Sequence, residues 1–204
     1  MADRRTRGMT GSGLSRTSTT TDRAVAIAEQ LHHECSILLE LYRKRESFVA
    51  DVSASDGRLV SVPLPSSQLD TRDKLWCLHS ALLQCRSLME RAFAKEKEEL
   101  DDGRKSEYET QRKMVKDRLS FLIISIGELL KAVDGTAGMT PSGEGLELDG
   151  PTGLFELKLW VYRIYKEVDY WTKTAITTLQ ALPAITAKER VRTRLVRSTR
   201  SVRR

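Results

Sequence analysis

The sequence predicts an all-α protein, a four-helix bundle whose helices run up-up-down-down. Apolar residues recur at alternating steps of three and four along four long segments, which is the spacing of a helical core face. The connections between these segments are long, short and long in turn, and long connections let consecutive helices point the same way. With 204 residues, 40% of them hydrophobic, the chain is large enough for one domain with a substantial core.

The first helix is expected over about residues 22–48, at the start of a folded body that spans 21–183. The preceding arm, 1–20, is rich in Gly, Ser, Thr and Arg, and we expect it to be disordered. Thr19, with Asp22 three residues later, fits a capping box at the start of the helix. The expected core face consists of Ala24, Ala28, Leu31, Cys35, Leu38 and Tyr42.

The segment 49–69 loses the helical period and is expected to form the first long connection. Asp56-Gly57 favours a turn, and Pro63 and Pro65 favour extended backbone. So long a connection is unusual in a compact domain, except as a crossover that returns along the length of a bundle. About 20 extended residues span up to roughly 65 Å, which is more than that return requires.

The second helix is expected over about 70–100 and the third over about 105–133, separated by Asp101-Asp102-Gly103. So short a connection makes the two helices antiparallel neighbours. The expected core faces consist of Leu75, Leu78, Leu82, Cys85, Met89 and Phe93 in the second helix, and of Val115, Leu119, Leu122, Ile126, Leu129 and Val133 in the third.

A second crossover over 134–151, with five glycines and two prolines, leads to the last helix, expected over about 152–182. Thr152 fits an N-cap, Glu156 suits the positive end of the helix dipole, and Pro183 ends the helix. A helix of roughly 30 residues is about 45 Å long and needs partners of similar length. Its expected core face consists of Leu154, Leu157, Val161, Ile164, Val168, Trp171, Ala175, Thr178 and Leu182.

The net charge of +6 is spread unevenly along the chain. Residues 188–204 carry eight cations against one acid, a net charge of +7, and residues 1–20 carry +3, which leaves −4 on 21–187. We expect 184–204 to be a basic disordered tail. A nucleic-acid-binding domain would carry its positive charge on the fold itself, so the folded body does not fit that class.

The polar motifs in the sequence do not form a site for catalysis. Glu29-x-x-His32 matches one half of a carboxylate-bridged di-iron motif, but His79 has no glutamate three residues earlier to complete it. The glycine-rich stretch 135–145 lacks the Gly-Lys-Ser/Thr ending that holds phosphates. The histidines, including His33, and the cysteines show no zinc spacing. We therefore predict no catalytic activity, no metal and no cofactor.

Cysteine content and targeting signals favour a protein made in the cytosol. Cys35, Cys77 and Cys85 are an odd and sparse set, typical of a reduced compartment, with Cys77 the one expected at the surface. The chain has no asparagine, hence no N-glycosylation acceptor, and residues 1–21 lack the apolar segment of a secretory signal. The longest apolar run, 119–126, is too short to span a membrane.

Phe155 and Lys158 are the candidate binding pair. They lie three residues apart, on one face at the start of the last helix and beside its core face. An aromatic anchor next to a long cation is the composition of an interface hot spot. Leu154 and Trp160 are expected to support the pair from the core side. The alternative is that Phe155 covers the end of the bundle and Lys158 is solvated.

The other aromatic residues of the last helix divide into two groups. Trp171 lies on the core face and is expected to be buried. Tyr162, Tyr165 and Tyr170 leave that face, and we expect them to be exposed, either as a binding surface or as cover for the long loops.

The segment GLFELKLW, residues 153–160, followed by Trp171, resembles the start of the last helix in the ciliary neurotrophic factor branch of the long-chain four-helix cytokines. This branch includes leukaemia inhibitory factor and cardiotrophin. The resemblance is strong over 153–182 and weaker elsewhere. In that family a Phe-x-x-Lys pair contacts the leukaemia inhibitory factor receptor, so the resemblance implies receptor binding by Phe155 and Lys158.

The family implies a growth factor that assembles the leukaemia inhibitory factor receptor and the shared signal-transducing chain, and so promotes neuronal survival and differentiation. It also implies cytoplasmic storage without a signal peptide and release by a non-classical route. The family contacts its alpha receptor through arginines on the first and last helices and a tryptophan in the first crossover. Lys173 could substitute for one of these arginines and is the candidate contact. The other aligned positions hold Glu29, His32, Thr174, Gln180 and Ser66. A different interpretation is an intracellular helical adaptor whose basic tail binds polyanions.

Overall fold

The computed structural model of the chain describes residues 12–47, 57–100, 106–134 and 153–182. These ranges hold four α-helices and no strand, which confirms the predicted all-α class. Across the described residues, none of the helices is long and apolar enough to cross a membrane. The helices are α1 (Ser12–Glu46), α2 (Thr71–Leu100), α3 (Glu107–Asp134) and α4 (Leu154–Gln180).

The helices form a bundle in which α1 and α2 each pack against both α3 and α4. At one end of the bundle the Tyr42 hydroxyl of α1 donates a hydrogen bond to the Lys158 carbonyl of α4 at 3.0 Å. At the same end the Tyr108 hydroxyl of α3 donates to Glu96 of α2 at 2.8 Å. The last turns of α1 and α2 therefore meet the first turns of α3 and α4, so the up-up-down-down arrangement is confirmed.

The core lies along the faces that the periodicity predicts. Every residue of the expected core face is buried in α1, and in α2 and α3 only Phe93 and Val133 are less than fully buried. In α4 the pattern shifts near the end, because Leu179 rather than Thr178 continues the buried face after Ala175. The local period therefore locates the core in all four helices.

The start of α1 differs from the prediction. The helix begins at Ser12, so the predicted arm is helical from that residue on, and Thr19 and Asp22 lie within the helix instead of forming its cap. Residues 12–21 contain no proline, and adding a residue to an existing helix costs far less than starting one. Residues 1–11 and the predicted tail 184–204 lie outside the described residues.

The other helix starts show how capping sets the boundaries. The Asp70 carboxylate accepts a hydrogen bond from the Asp73 backbone N–H at 2.7 Å, which caps α2. The Ser106 hydroxyl accepts from the Glu109 backbone N–H at 3.2 Å, which caps α3. In α4 the cap residue is Gly153, with no side-chain cap, so the prediction of Thr152 as N-cap is wrong.

Part of the first crossover packs against the bundle within its described residues, from Gly57 onward. Gly57 has a φ of 78°, the left-handed conformation that glycine adopts most readily, as expected of a turn here. Leu59 and Val60 are buried in the core. The Arg58 guanidinium lies 4.0 Å from the centre of the Tyr170 ring of α4, a cation–π contact. Tyr170 is partly buried beneath this loop, as one of the two sequence interpretations anticipated.

His79 of α2 packs closely against Gly127 of α3. A Cβ atom at Gly127 would lie 3.3 Å from the His79 Nε2 atom, so the glycine leaves room for the imidazole between the helices. Burial lowers the pKa of His79, and the nearby positive charge of Lys131 lowers it further. The folded protein therefore favours the neutral imidazole.

We expect the bundle to lose stability as the pH falls below about 6.5, the ordinary pKa of histidine. In the unfolded chain His79 takes up a proton at a higher pH than in the folded one. The contribution of His79 to the free energy of unfolding therefore rises with pH between its folded and unfolded pKa values. Above both values this contribution is fully present. Urea unfolding at pH 7.5 and pH 5.5 measures the difference, which His79→Gln should reduce. An equal loss in the variant would contradict the assignment.

Candidate functional site

The first turn of α4 is exposed at one end of the bundle. Phe155 is 67% exposed and Leu154 is also exposed, whereas Leu157 is the first buried residue of the helix. The expectation that Leu154 supports Phe155 from the core is wrong. The Leu154 position continues the core period, but α1 ends at Glu46 beside Lys158, one turn further along α4. Trp160 is partly buried against the core, as expected.

Lys158 is held by α1 and does not project freely beside Phe155. Its ammonium lies 2.6 Å from a carboxylate oxygen of Glu46, and the Lys158 side chain is 27% exposed against 4% for Glu46. The guanidinium of Arg45 approaches the other oxygen of Glu46 at 3.4 Å. A carboxylate with so little access to water needs such cations as partners. The two predicted site residues thus share a helix turn but differ in their surroundings.

Two of the tyrosines expected at the surface are buried instead. Tyr162 and Tyr165 are almost fully shielded from solvent, so that expectation is wrong. The Tyr162 hydroxyl accepts a hydrogen bond from Arg43 of α1 at 2.6 Å. Both rings pack against Tyr42, Tyr162 stacked at 6.5 Å and Tyr165 edge-on at 5.4 Å between ring centres. Their apolar rings widen the core face of α4 while their hydroxyls find partners.

A buried polar cluster lies at this same end and joins all four helices. Glu96 of α2 is buried and accepts hydrogen bonds from the hydroxyls of Tyr108 and Tyr165 at 2.8 and 3.3 Å. The guanidinium of Arg112 binds the same carboxylate at 2.8 Å, and Arg45 of α1 approaches it at 3.8 Å. Burial raises the pKa of both tyrosines most strongly, and the charge of Glu96 raises the pKa of Tyr108 further, as the phenol of Tyr108 does for Tyr165. Both tyrosines therefore stay protonated as donors.

Sequence reasoning missed this cluster, although one signal was present. Glu96 lies three residues after Phe93, where the core period of α2 calls for an apolar residue. A glutamate on a core face is rare unless it is paired. The cluster fixes the end of the bundle from which the exposed first turn of α4 projects.

Lys173 lies far from Phe155, about 27 Å along α4 at 1.5 Å per residue. Its ammonium pairs with a carboxylate oxygen of Asp169 at 2.8 Å, and the other oxygen of Asp169 lies 2.7 Å from Nδ1 of His32. Gln180 donates a long hydrogen bond of 3.4 Å to Glu29. Four of the candidate alpha-receptor positions, Glu29, His32, Lys173 and Gln180, therefore lie along one polar seam between α1 and α4.

The candidate metal motif takes part in other contacts. His32, from Glu29-x-x-His32, pairs with Asp169, and within the described ranges no group of three or more His, Cys, Asp or Glu could hold a metal ion. The three cysteines are free and buried, so the expectation of an exposed Cys77 is wrong. Burial raises the pKa of Cys35 and Cys85 well above the ordinary thiol value. The glycine-rich stretch 135–145 lies outside the described residues.

A second exposed apolar surface lies on the outward side of α3. Phe121, Ile124 and Met114 are exposed there, at spacings of three and seven residues that place them on one helix face, and we call them the α3 apolar surface. Sequence reasoning missed this surface because it weighed the apolar run 119–126 only as a membrane span and gave no role to the apolar residues outside the expected core face. Exposed apolar residues grouped on one face are typical of interaction sites.

Comparisons with known proteins do not identify a family. Neither protein-family models nor curated proteins match this chain. The cytokine resemblance therefore remains a hypothesis that rests on residues 153–182 and on the bundle that carries them.

Proposed function

We propose that this protein is a growth factor of the ciliary neurotrophic factor type, which binds cell-surface receptors of the leukaemia inhibitory factor receptor class. The exposure of Phe155 on the first turn of α4 carries this proposal. A large aromatic side chain, 67% exposed on a well-anchored helix, is an efficient contact for a partner protein. The up-up-down-down bundle is the architecture that the family requires.

Two separate apolar surfaces support the assembly of two receptor chains. Phe155 projects from α4 and the α3 apolar surface from α3, and these helices lie diagonally opposite in the bundle. A rigid body with two contact faces raises the effective concentration of one receptor chain near the other. In the proposed role the second chain is the shared signal transducer, and kinases attached to the receptors phosphorylate one another.

The remaining expectations belong to the same proposal. The output is neuronal survival and differentiation, and the protein is stored in the cytoplasm and released by a non-classical route. Lys173 is the proposed alpha-receptor contact. Its side chain is more than half exposed although its ammonium is paired with Asp169.

Phe155→Ala tests the proposal. The affinity for purified leukaemia inhibitory factor receptor ectodomain is expected to fall by about 30-fold, a hot-spot loss of about 2 kcal/mol, because the aromatic anchor is removed. The melting temperature should not change, since an exposed side chain contributes little to the core. Surface plasmon resonance and circular dichroism measure the two quantities.

The matched control is Trp76→Ala, an exposed aromatic residue on α2. Trp76 lies about 30 Å along α2 from Glu96, near the opposite end of the bundle. It should leave the affinity unchanged. Equal affinities for Phe155→Ala and the unaltered protein, or no binding by the latter, would refute the proposal. Lys158→Ala is unsuitable as a surface test because it leaves the Glu46 carboxylate without its closest cation.

The charge of residues 188–204 favours one alternative, an intracellular helical adaptor that binds polyanions through this tail. The segment carries a net charge of +7 on a body of net charge −4. Binding to a polyanion that falls steeply with salt and vanishes on removal of 188–204, in a protein without receptor affinity, would favour the adaptor.

A further inference from the structure

We propose that Glu46 of α1 is a positioning residue for the proposed receptor-binding surface. In this role Glu46 holds Lys158 and thereby fixes the exposed turn that carries Phe155. Lys158 then serves binding through this ion pair, not through contact between its own charge and the receptor. The inference rests on the proposed function and assigns the two members of the Phe-x-x-Lys pair different roles.

The first observation is the way in which α1 holds the start of α4. The Tyr42 hydroxyl bonds to the Lys158 backbone carbonyl at 3.0 Å, and Glu46 binds the Lys158 ammonium at 2.6 Å. One turn further along, Arg43 bonds to the Tyr162 hydroxyl at 2.6 Å. Lys158 is thus fastened to α1 through both its side chain and its backbone, one turn after Phe155.

The second observation is that the turn itself is exposed to solvent. All residues from Gly153 to Glu156 are exposed, and Gly153 makes no side-chain cap. Backbone N–H groups in the first turn of a helix have no partner within the helix, so such turns fray unless they are anchored. Leu157 and the contacts of Lys158 are therefore well placed to fix the direction in which Phe155 projects.

The third observation is the burial of the carboxylate. Only 4% of the Glu46 side chain is exposed, so the Lys158 ammonium already compensates a carboxylate that has almost no access to water. Removing one member of a buried pair is costly because it leaves the other without compensation, whereas replacing both by apolar groups is often nearly neutral. Loss of binding after removal of Lys158 alone would therefore not show a direct contact.

A pair of substitutions separates the two roles. Lys158→Met removes the charge from Lys158 and leaves Glu46 buried, whereas the double variant Glu46→Leu with Lys158→Met removes both charges and keeps the volume. The single variant should lose about tenfold in affinity for the leukaemia inhibitory factor receptor ectodomain, and the double variant should recover to within about threefold. Hydrogen exchange at the amides of Leu157 and Lys158 should be faster in the single variant than in the unaltered protein. In the double variant the exchange rates should return to those of the unaltered protein.

Each outcome decides the inference. Recovery of affinity and of exchange protection in the double variant supports positioning. A double variant as weak as the single one would show that the receptor needs the Lys158 charge itself, and would overturn the inference. If the unaltered protein binds no receptor, the proposed function fails, and the hydrogen-exchange rates alone then test whether Glu46 positions the turn. Equal exchange in all three proteins would then overturn the positioning role as well.

Discussion

Replacing Arg112 with methionine is expected to lower the free energy of unfolding by about 3 kcal/mol. The guanidinium of Arg112 lies 2.8 Å from Glu96, whose side chain is only 2% exposed. Without Arg112, the carboxylate keeps the hydroxyls of Tyr108 and Tyr165 but loses its closest cation. Among the described residues, the nearest remaining cation is Arg45, at 3.8 Å. The loss lies at the lower end of the range for broken buried pairs because these partners remain.

The control for Arg112→Met is a similar pair at the surface. Arg86 binds Glu90 at 3.3 Å, but both side chains are more than 40% exposed. Arg86→Met should therefore change the free energy of unfolding by no more than about 0.5 kcal/mol. Urea unfolding monitored by circular dichroism measures both variants. If Arg112→Met costs no more than Arg86→Met, the cluster around Glu96 does not hold the helix ends together.

The sequence predicts the helices and most of the core because both follow from local periodicity. Leu31, Leu82, Leu122 and Val168 lie on the core faces of the four helices, and each is buried. The lengths of the connections then decide which helices run parallel. None of these steps requires knowledge of which residues meet across the bundle.

The burial of Tyr162, Tyr165 and Glu96 was not predicted, because it depends on partners from other helices. Tyr165 can be buried in the core because its hydroxyl forms hydrogen bonds with Tyr108 and Glu96, which belong to other helices. The exposure of Leu154 depends in the same way on where α1 ends. Periodicity within one helix carries no information about such contacts.

The candidate site was only partly predictable. The spacing of Phe155 and Lys158 places them on one face, and the structure shows Phe155 exposed on it. The pairing of Lys158 with Glu46 joins residues more than a hundred positions apart in the sequence. A motif read along one helix cannot reveal such a partner, yet that partner determines what a substitution of Lys158 would test.

Trp171→Ala is expected to lower the free energy of unfolding by about 3–5 kcal/mol, the loss typical of a large aromatic residue removed from a core. Trp171 is fully buried, its indole N–H donates a hydrogen bond to Glu167 at 3.0 Å, and its ring meets Tyr170 edge-on at 6.0 Å between centres. The substitution leaves a cavity beneath the crossover, where Arg58 packs over Tyr170. Thermal and urea unfolding measure the loss.

Trp160→Ala is the matched control, because Trp160 lies on the same helix but is only partly buried. It should cost clearly less than Trp171→Ala, and equal losses would contradict the assignment of Trp171 to the centre of the core. Trp171 lies about 24 Å along α4 from Phe155. Below its lowered melting temperature, the Trp171→Ala protein should therefore keep its affinity for the receptor ectodomain. Loss of affinity while it remains folded would mean that the core of α4 also shapes the surface that binds.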